Sequence, residues 1–382
     1  MPPTFKQLPP LSLYIHIPWC IKKCPYCDFN SHAITGDLPE QAYIAALLAD
    51  LDREIKYVQG RPLESIFFGG GTPSLLSVTG IDTILRGVAQ RINFSDRIEI
   101  TLEANPGTFE RDKFAGFRQA GINRLSVGVQ SFNPTHLKQL GRIHSAEEAI
   151  QAIVQAKESG FDNINIDLMH GLPRQSTAQA LEDLQAAIVQ NPAHISWYQL
   201  TIEPNTEFYS NPPRLPDDDQ LHHIEQQGLQ LLAQHDYQQY EISAYSKAGR
   251  ESLHNLNYWR FGDYLGIGAG AHGKITLLDE QLIIRTRKSR QPKDYLNVAT
   301  RLAIPPKTIP PISIPGEFMM NALRLNQGFA PELFEQNSGL PLSSILPLLN
   351  QAQQDGLLEV NDKIITTRQG RLFLNNLLER FI

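Results

Sequence analysis

Cys20, Cys24 and Cys27 are the only three cysteines of the 382-residue chain, and all lie in Trp19-Cys-Ile-Lys-Lys-Cys-Pro-Tyr-Cys-Asp28. Their spacing is C-x3-C-x2-C. Three thiolates on one short loop can each hold one iron of a [4Fe–4S] cube and leave the fourth iron open to a ligand. Structural cysteines would instead scatter over buried positions. A disulfide framework fits neither an odd count nor a long chain. Zinc is the rival reading, with His16 or His32 as the fourth ligand, although the chain has no second C-x2-C pair.

A second feature is Gly69-Gly70-Gly71-Thr72-Pro73, directly after an apolar run. Glycines remove side chains and tolerate positive φ, so backbone there can approach a ligand closely. A tight strand-to-helix turn would also explain the run. A phosphate loop fits poorly, because its Lys-Ser/Thr end is absent.

These residues need elements to hold them. Short runs rich in β-branched and aromatic residues recur at Leu13–Ile17, Ser65–Phe68, Ile98–Leu102, Arg124–Val129, Asn163–Leu168 and His194–Leu200. Amphipathic stretches separate them at Gln41–Ile55, Asp82–Ile92, Arg111–Ala120, Ala146–Ser159 and Ala178–Gln190. Strand-then-helix repetition predicts a parallel sheet with helices outside. The unusual residues fall just after the strands, which favours a partial (β/α)6 TIM-like barrel over an open doubly wound sheet. Further on, Asp217–His235 reads as a helix, Tyr237–Tyr245 as a strand and Gly262–Gly273 as tight turns. The proline-dense Ile304–Pro315 reads as a linker. Helices and a hairpin at Leu357–Thr366 then predict a small α+β winged-helix-like domain. The division expected is a barrel core over 1–203, an extension over 204–303 and a small domain over 304–382.

A net charge of −6 supplies no basic field for nucleic acid. The Pro-rich start has no signal-peptide pattern, and no stretch approaches a membrane span. Clustered thiols without an export signal imply a cytoplasmic protein. Peripheral contact with a membrane is left open.

The motifs together resemble the radical S-adenosylmethionine (SAM) superfamily. They are Tyr14-Ile-His-Ile-Pro-Trp19 leading into the cysteines, the Gly69–Pro73 run, Leu125-Ser-Val-Gly-Val-Gln-Ser-Phe132 and Asn165-Ile-Asp-Leu-Met-His-Gly-Leu-Pro173. Within it the chain is similar to the branch holding oxygen-independent coproporphyrinogen III oxidase and the HemW-type proteins. The resemblance implies that Cys20, Cys24 and Cys27 hold a [4Fe–4S] cluster whose open iron binds SAM. It implies that Gly70, Gly71 and Thr72 lie along the methionine end. Glu103 is then an anion suited to the amino group and Arg142 a fork suited to the carboxylate. Gln130 and Asp167 suit the ribose hydroxyls. Tyr26 lies against the adenine, and Tyr14 supports the cluster end.

The oxidase has a fourth cysteine two residues after the third, where this chain has Phe29, and a longer segment before its first strand. Both departures point to the HemW-type proteins, and so to a heme chaperone. That resemblance implies heme as a further ligand, hemoproteins as recipients (membrane-bound respiratory ones among them) and a reductant protein. It leaves open a homodimer, and it implies no oxidase activity. His254-Asn-Leu-Asn-Tyr-Trp259 matches a HemW-type segment, which marks His254 as a candidate axial ligand beside Tyr258 and Trp259. The reading kept beside it is that the segment only packs at the barrel edge. His222 and His223 are expected to be solvated.

Overall fold

The computed structural model describes residues 2–107, 111–301 and 304–382. The expected boundary at 303 falls on residues outside this set. Among the described residues one sheet carries twelve strands. Its centre is formed by β1 (Leu11–Ile17), β2 (Leu63–Gly70), β3 (Phe94–Ala104), β4 (Arg124–Gln130), β5 (Ile164–His170) and β6 (His194–Gln199), in that spatial order and parallel throughout. In β1 and β5 nearly every residue is buried, as expected of parallel strands covered on both faces. Helices Glu40–Glu54, Val78–Ala89, Phe114–Ala120, Ala146–Glu158 and Thr177–Val189 supply that cover. Ser145 and Ser176 each open their helix with a capping box.

The sheet departs from the sequence reading beyond β6. β7 (Gln238–Glu241) and β8 (Ala244–Ser246) form an antiparallel hairpin on the β6 edge, where one strand was expected. At the opposite edge the stretch read as tight turns contains a strand. β9 (Asp263–Ile267) pairs parallel to β1 and makes a seventh parallel strand. Three antiparallel strands extend that edge: β10 (His272–Leu277), β11 (Leu282–Arg287) and β12 (Lys307–Thr308). β12 lies inside the stretch read as a linker, so that stretch is stitched to the sheet by backbone pairing.

β9 is anchored by a buried carboxylate. Asp263 receives Arg61 Nη1 at 2.8 Å and Lys274 Nζ at 3.0 Å, and also the Thr276 amide and hydroxyl. Asp263 and Lys274 are 0% and 1% exposed. A charge that deep is tolerated only because each partner is satisfied.

A second apolar core gathers Phe318, Phe329, Phe334, Leu349 and Phe381 with Phe5, Phe261 and Ile283 from earlier in the chain. Helices Ile314–Ala322, Pro331–Ser338 and Leu346–Gln354 and the hairpin Leu358–Val360/Ile364–Thr366 match the expected small domain in type. Two short helices, Arg368–Leu372 and Leu374–Leu378, follow the hairpin.

Asp263→Ala leaves Arg61 and Lys274 facing each other without their shared anion. A loss of about 3–5 kcal/mol is expected, read as a lower urea midpoint at unchanged slope. An unchanged midpoint would show that the carboxylate does not hold β9.

Candidate functional site

The cysteine loop leaves β1 through Trp19–Cys20, which pairs with His32–Ala33 and closes the loop at its base. Inside it Cys27 N donates to Cys24 O, and Lys23 Nζ donates to the carbonyls of Phe29 and Ser31. Asn30 fixes the far end. Its side-chain amide donates to the carbonyls of Ala269 and Arg290, and its own carbonyl meets His16 Nε2 at 2.9 Å.

All three cysteines are reduced, half-buried and on the wall of one cavity of about 450 Å³. Gly70, Gly71, Thr72 and Glu103 line it at the ends of β2 and β3. Gln130, Arg142, Asp167 and Tyr26 complete the set expected from the sequence. Parallel topology thus brings residues from five strand ends and following loops to one face.

The glycine run owes its composition to crowding. Gly70 has φ +114°, and a Cβ there would lie 2.5 Å from the His16 ring. A Cβ on Gly71 would lie 2.5 Å from the Trp19 carbonyl oxygen. The Gly71 and Thr72 amides donate to Ile17 O and Trp19 O, and the Gly70 amide donates to Glu103 at 3.1 Å. The run therefore clamps the cysteine loop onto β2. Gln130 also sits at φ +70°, where a non-glycine residue is strained. Its side-chain carbonyl accepts from Tyr198 at 2.7 Å.

The charges in the cavity are the informative part. Burial, and then the nearby Asp167, push Glu103 up to about 8. Asp167 is raised by burial while accepting from Ser126 and Asn165. Arg142 donates to Asn105 Oδ1 at 2.7 Å and Gly128 O at 2.6 Å, and to Cys24 Sγ at 3.7 Å. Its Nε is buried without a partner. Neither Glu103 nor Arg142 has an ion-pair partner among the described residues, and an acid and a guanidinium so placed fit the two ends of an amino acid. This donor set suits the methionine part of SAM. The cysteines and histidines, with the aspartates and glutamates, form no group among the described residues compact enough for one metal ion. A cube that gives each thiolate its own iron has no such requirement. His16, named as a fourth zinc ligand, has both ring nitrogens engaged, by Tyr14 and by Asn30 O.

Tyr14 does not reach this cavity. Its hydroxyl meets His16 Nδ1 at 2.9 Å, so its support of the cluster end runs through His16 and Asn30. Tyr14 lines a second cavity of about 680 Å³, which shares Phe29, Gly70 and Glu103 with the first. Tyr258, Tyr264 and His272 also line it.

His254 lies apart from the other residues of the expected set. It is 1% exposed and lies on neither cavity wall. Ser65 Oγ donates to Ser12, so His254 Nδ1–H donates to Ser65 at 2.8 Å, and Nε2 accepts from Tyr258 at 3.1 Å. Burial pushes it down to about 3, so it is neutral but has no free lone pair for a metal. Its neighbours do face the cavities: Tyr258 the second and Trp259 the first. His222 and His223 are exposed, as expected.

Other residues carry the site without a legible signal. Glu99 accepts from Ser252, Leu253 N and His254 N, and so caps helix Leu253–Trp259 from β3. Asn105 bridges Thr72 and Arg142. Arg324 packs over Trp259 at 5.1 Å from beyond the barrel. Only the capping serine, Ser252, could have been found from its spacing to the following helix.

Glu103→Gln tests the charge reading through opposed effects. The folded-state value of Glu103 lies above its unfolded one, so its contribution to apo stability is present at low pH and is lost as pH rises through about 8. Apo E103Q is expected to melt above wild type at pH 9 and to converge with it near pH 5, by calorimetry. The same variant is expected to bind SAM about tenfold more weakly. Parallel melting curves across this range would remove Glu103 from the charge set.

Comparisons with known proteins place this geometry. A radical SAM superfamily model matches residues 14–186, and a HemN C-terminal domain model matches 309–373. The chain is 53% identical to heme chaperone HemW of Haemophilus influenzae and 52% identical to that of Escherichia coli, over 98% of this chain and 99% of each relative. The solved structure of coproporphyrinogen III oxidase (HemN) from Escherichia coli, a radical SAM enzyme, is similar at 26% identity with a TM-score of 0.81, over 98% of this chain and 90% of that one. On these matches the chain belongs to the radical SAM superfamily, and within it to the family of heme chaperone HemW.

Proposed function

We propose that this chain binds heme and passes it to hemoproteins, with a [4Fe–4S] cluster and SAM held in the adjoining cavity. Full-length likeness to proteins named heme chaperone HemW supports the reading. The structural observation that carries it is the second cavity, which meets the cysteine cavity at Phe29, Gly70 and Glu103. Its volume of about 680 Å³ lies in the range of small-molecule sites. Tyr14, Tyr258 and Tyr264 give it aromatic walls, and Arg287 and Arg290 give it positive charge. A flat, apolar ligand with acidic edges suits such walls.

Cys20, Cys24 and Cys27 would hold the cluster, and its open iron supplies a docking point for SAM and a source of single electrons. The protein's own part is positioning. Glu103 and Arg142 take the two ends of the methionine moiety, while Gln130 and Asp167 face the ribose. Tyr26, half-buried beside Phe208, limits water at the adenine side.

The recipients would include respiratory hemoproteins at a membrane, and a reductant protein would serve the cluster. No helix among the described residues is long and apolar enough to cross a membrane.

Two measurements on anaerobically reconstituted protein test the reading. Hemin titration is expected to give a saturable Soret band. Incubation with coproporphyrinogen III, SAM and a reductant is expected to give no protoporphyrinogen. Robust decarboxylation, or no heme binding, would overturn the proposal. Changing any one of Cys20, Cys24 or Cys27 to Ala is expected to abolish the intact cube, read as iron and sulfide content. Full retention in a single variant would remove that residue as a ligand.

A further inference from the structure

The second cavity has two histidines on its wall, His16 and His272. They differ in what their nitrogens are doing. His16 is committed on both sides, to Tyr14 and to the Asn30 carbonyl. His272 opens β10, is exposed, and has no hydrogen-bond partner for either ring nitrogen among the described residues. It is the imidazole on this wall with a lone pair free for a ligand.

Two cations share its surroundings. Arg287 lies directly opposite His272 in the β10–β11 ladder, so both side chains project from the same face. Arg290 follows shortly after, its backbone held by the Asn30 amide. Neither guanidinium has an ion-pair or hydrogen-bond partner among the described residues, whereas Lys288 between them is taken by Asp50 and Glu54 at 2.8 Å each. A neutral imidazole beside two unpaired guanidiniums is the complement of a metal centre on a ring with two carboxylates.

Resting on the heme-binding reading above, we propose that His272, not His254, is an axial ligand of the heme iron, with Arg287 and Arg290 pairing the two propionate carboxylates. Burial and the nearby Arg285, Arg287 and Arg290 hold His272 below the ordinary histidine range, so it is in the neutral form that binds metals. The turn before it is fixed. A Cβ on Gly270 would lie 2.3 Å from Asn30 Nδ2, and the Gly270 amide donates to Ser289 O. This places the candidate ligand on the same Asn30 tie that holds the cysteine loop.

The test uses full-length, cluster-loaded protein titrated anaerobically with hemin, followed by absorption and electron paramagnetic resonance. His272→Ala is expected to weaken binding about tenfold or more and to remove the histidine-ligated signature, with iron and sulfide content unchanged. His272→Cys is expected to convert the spectrum to that of thiolate ligation. The double change Arg287→Ala with Arg290→Ala is expected to weaken binding while keeping the histidine signature. His254→Ala is expected to keep that signature too. If wild type shows histidine ligation that survives unchanged in both His272 variants, the assignment is wrong while heme binding stands. If wild type binds no hemin, the function proposed above falls and this assignment falls with it.

Discussion

Asn30 holds the functional face together. Its amide donates to Ala269 O and Arg290 O, and its carbonyl meets His16 Nε2. One residue therefore binds the end of the cysteine loop to β1 on one side and to the β9–β10 turn on the other. Gly70 makes the arrangement possible from beneath, because the His16 ring occupies the space that any Cβ there would need. Without this tie the far end of the loop would lose its link to β1 and to the β9–β10 turn. With it, the three sulfurs have a fixed relation to the ends of β2, β3 and β4.

Charge burial gives the face its character. The fold leaves Glu103 and Arg142 in one cavity without pairing them with each other, and Arg142 Nε has no partner among the described residues. Two buried charges elsewhere are paired twice over: Asp263 has two cations, and Lys288 has two carboxylates. Burial pushes Glu103 up to about 8 on the wall it shares with Arg142, so a ligand that brings a cation to it and a carboxylate to Arg142 would satisfy both groups. The strained backbone of Gln130 lies on the same wall.

Much of this was legible in the chain, and what was not has physical reasons. The six central strands announce themselves because a parallel strand buried on both faces must be a continuous apolar run. The cysteines and Gly69–Pro73 could be read because their chemistry is local. β9 was hidden: Asp263-Tyr-Leu-Gly-Ile267 is short and glycine-flanked, and only pairing with β1, far off in sequence, makes it a strand. Glu99 was hidden for the same reason, since it caps a helix more than 150 residues away. His254 shows another limit of the sequence: residue type names a candidate ligand, but which lone pairs are free is decided by distant partners, here Ser65 and Tyr258.

The helix Leu253–Trp259 then acquires a role different from the one its sequence suggested. Glu99 fixes its start, and His254 is locked between Ser65 and Tyr258. Its last two residues divide: Tyr258 faces the second cavity and packs edge-on against Tyr264 at 4.4 Å, while Trp259 faces the first. Arg324 rests on Trp259 from the C-terminal region. The helix therefore puts one aromatic ring on each cavity wall, and its own histidine serves to hold it there, through Ser65 on one side and Tyr258 on the other.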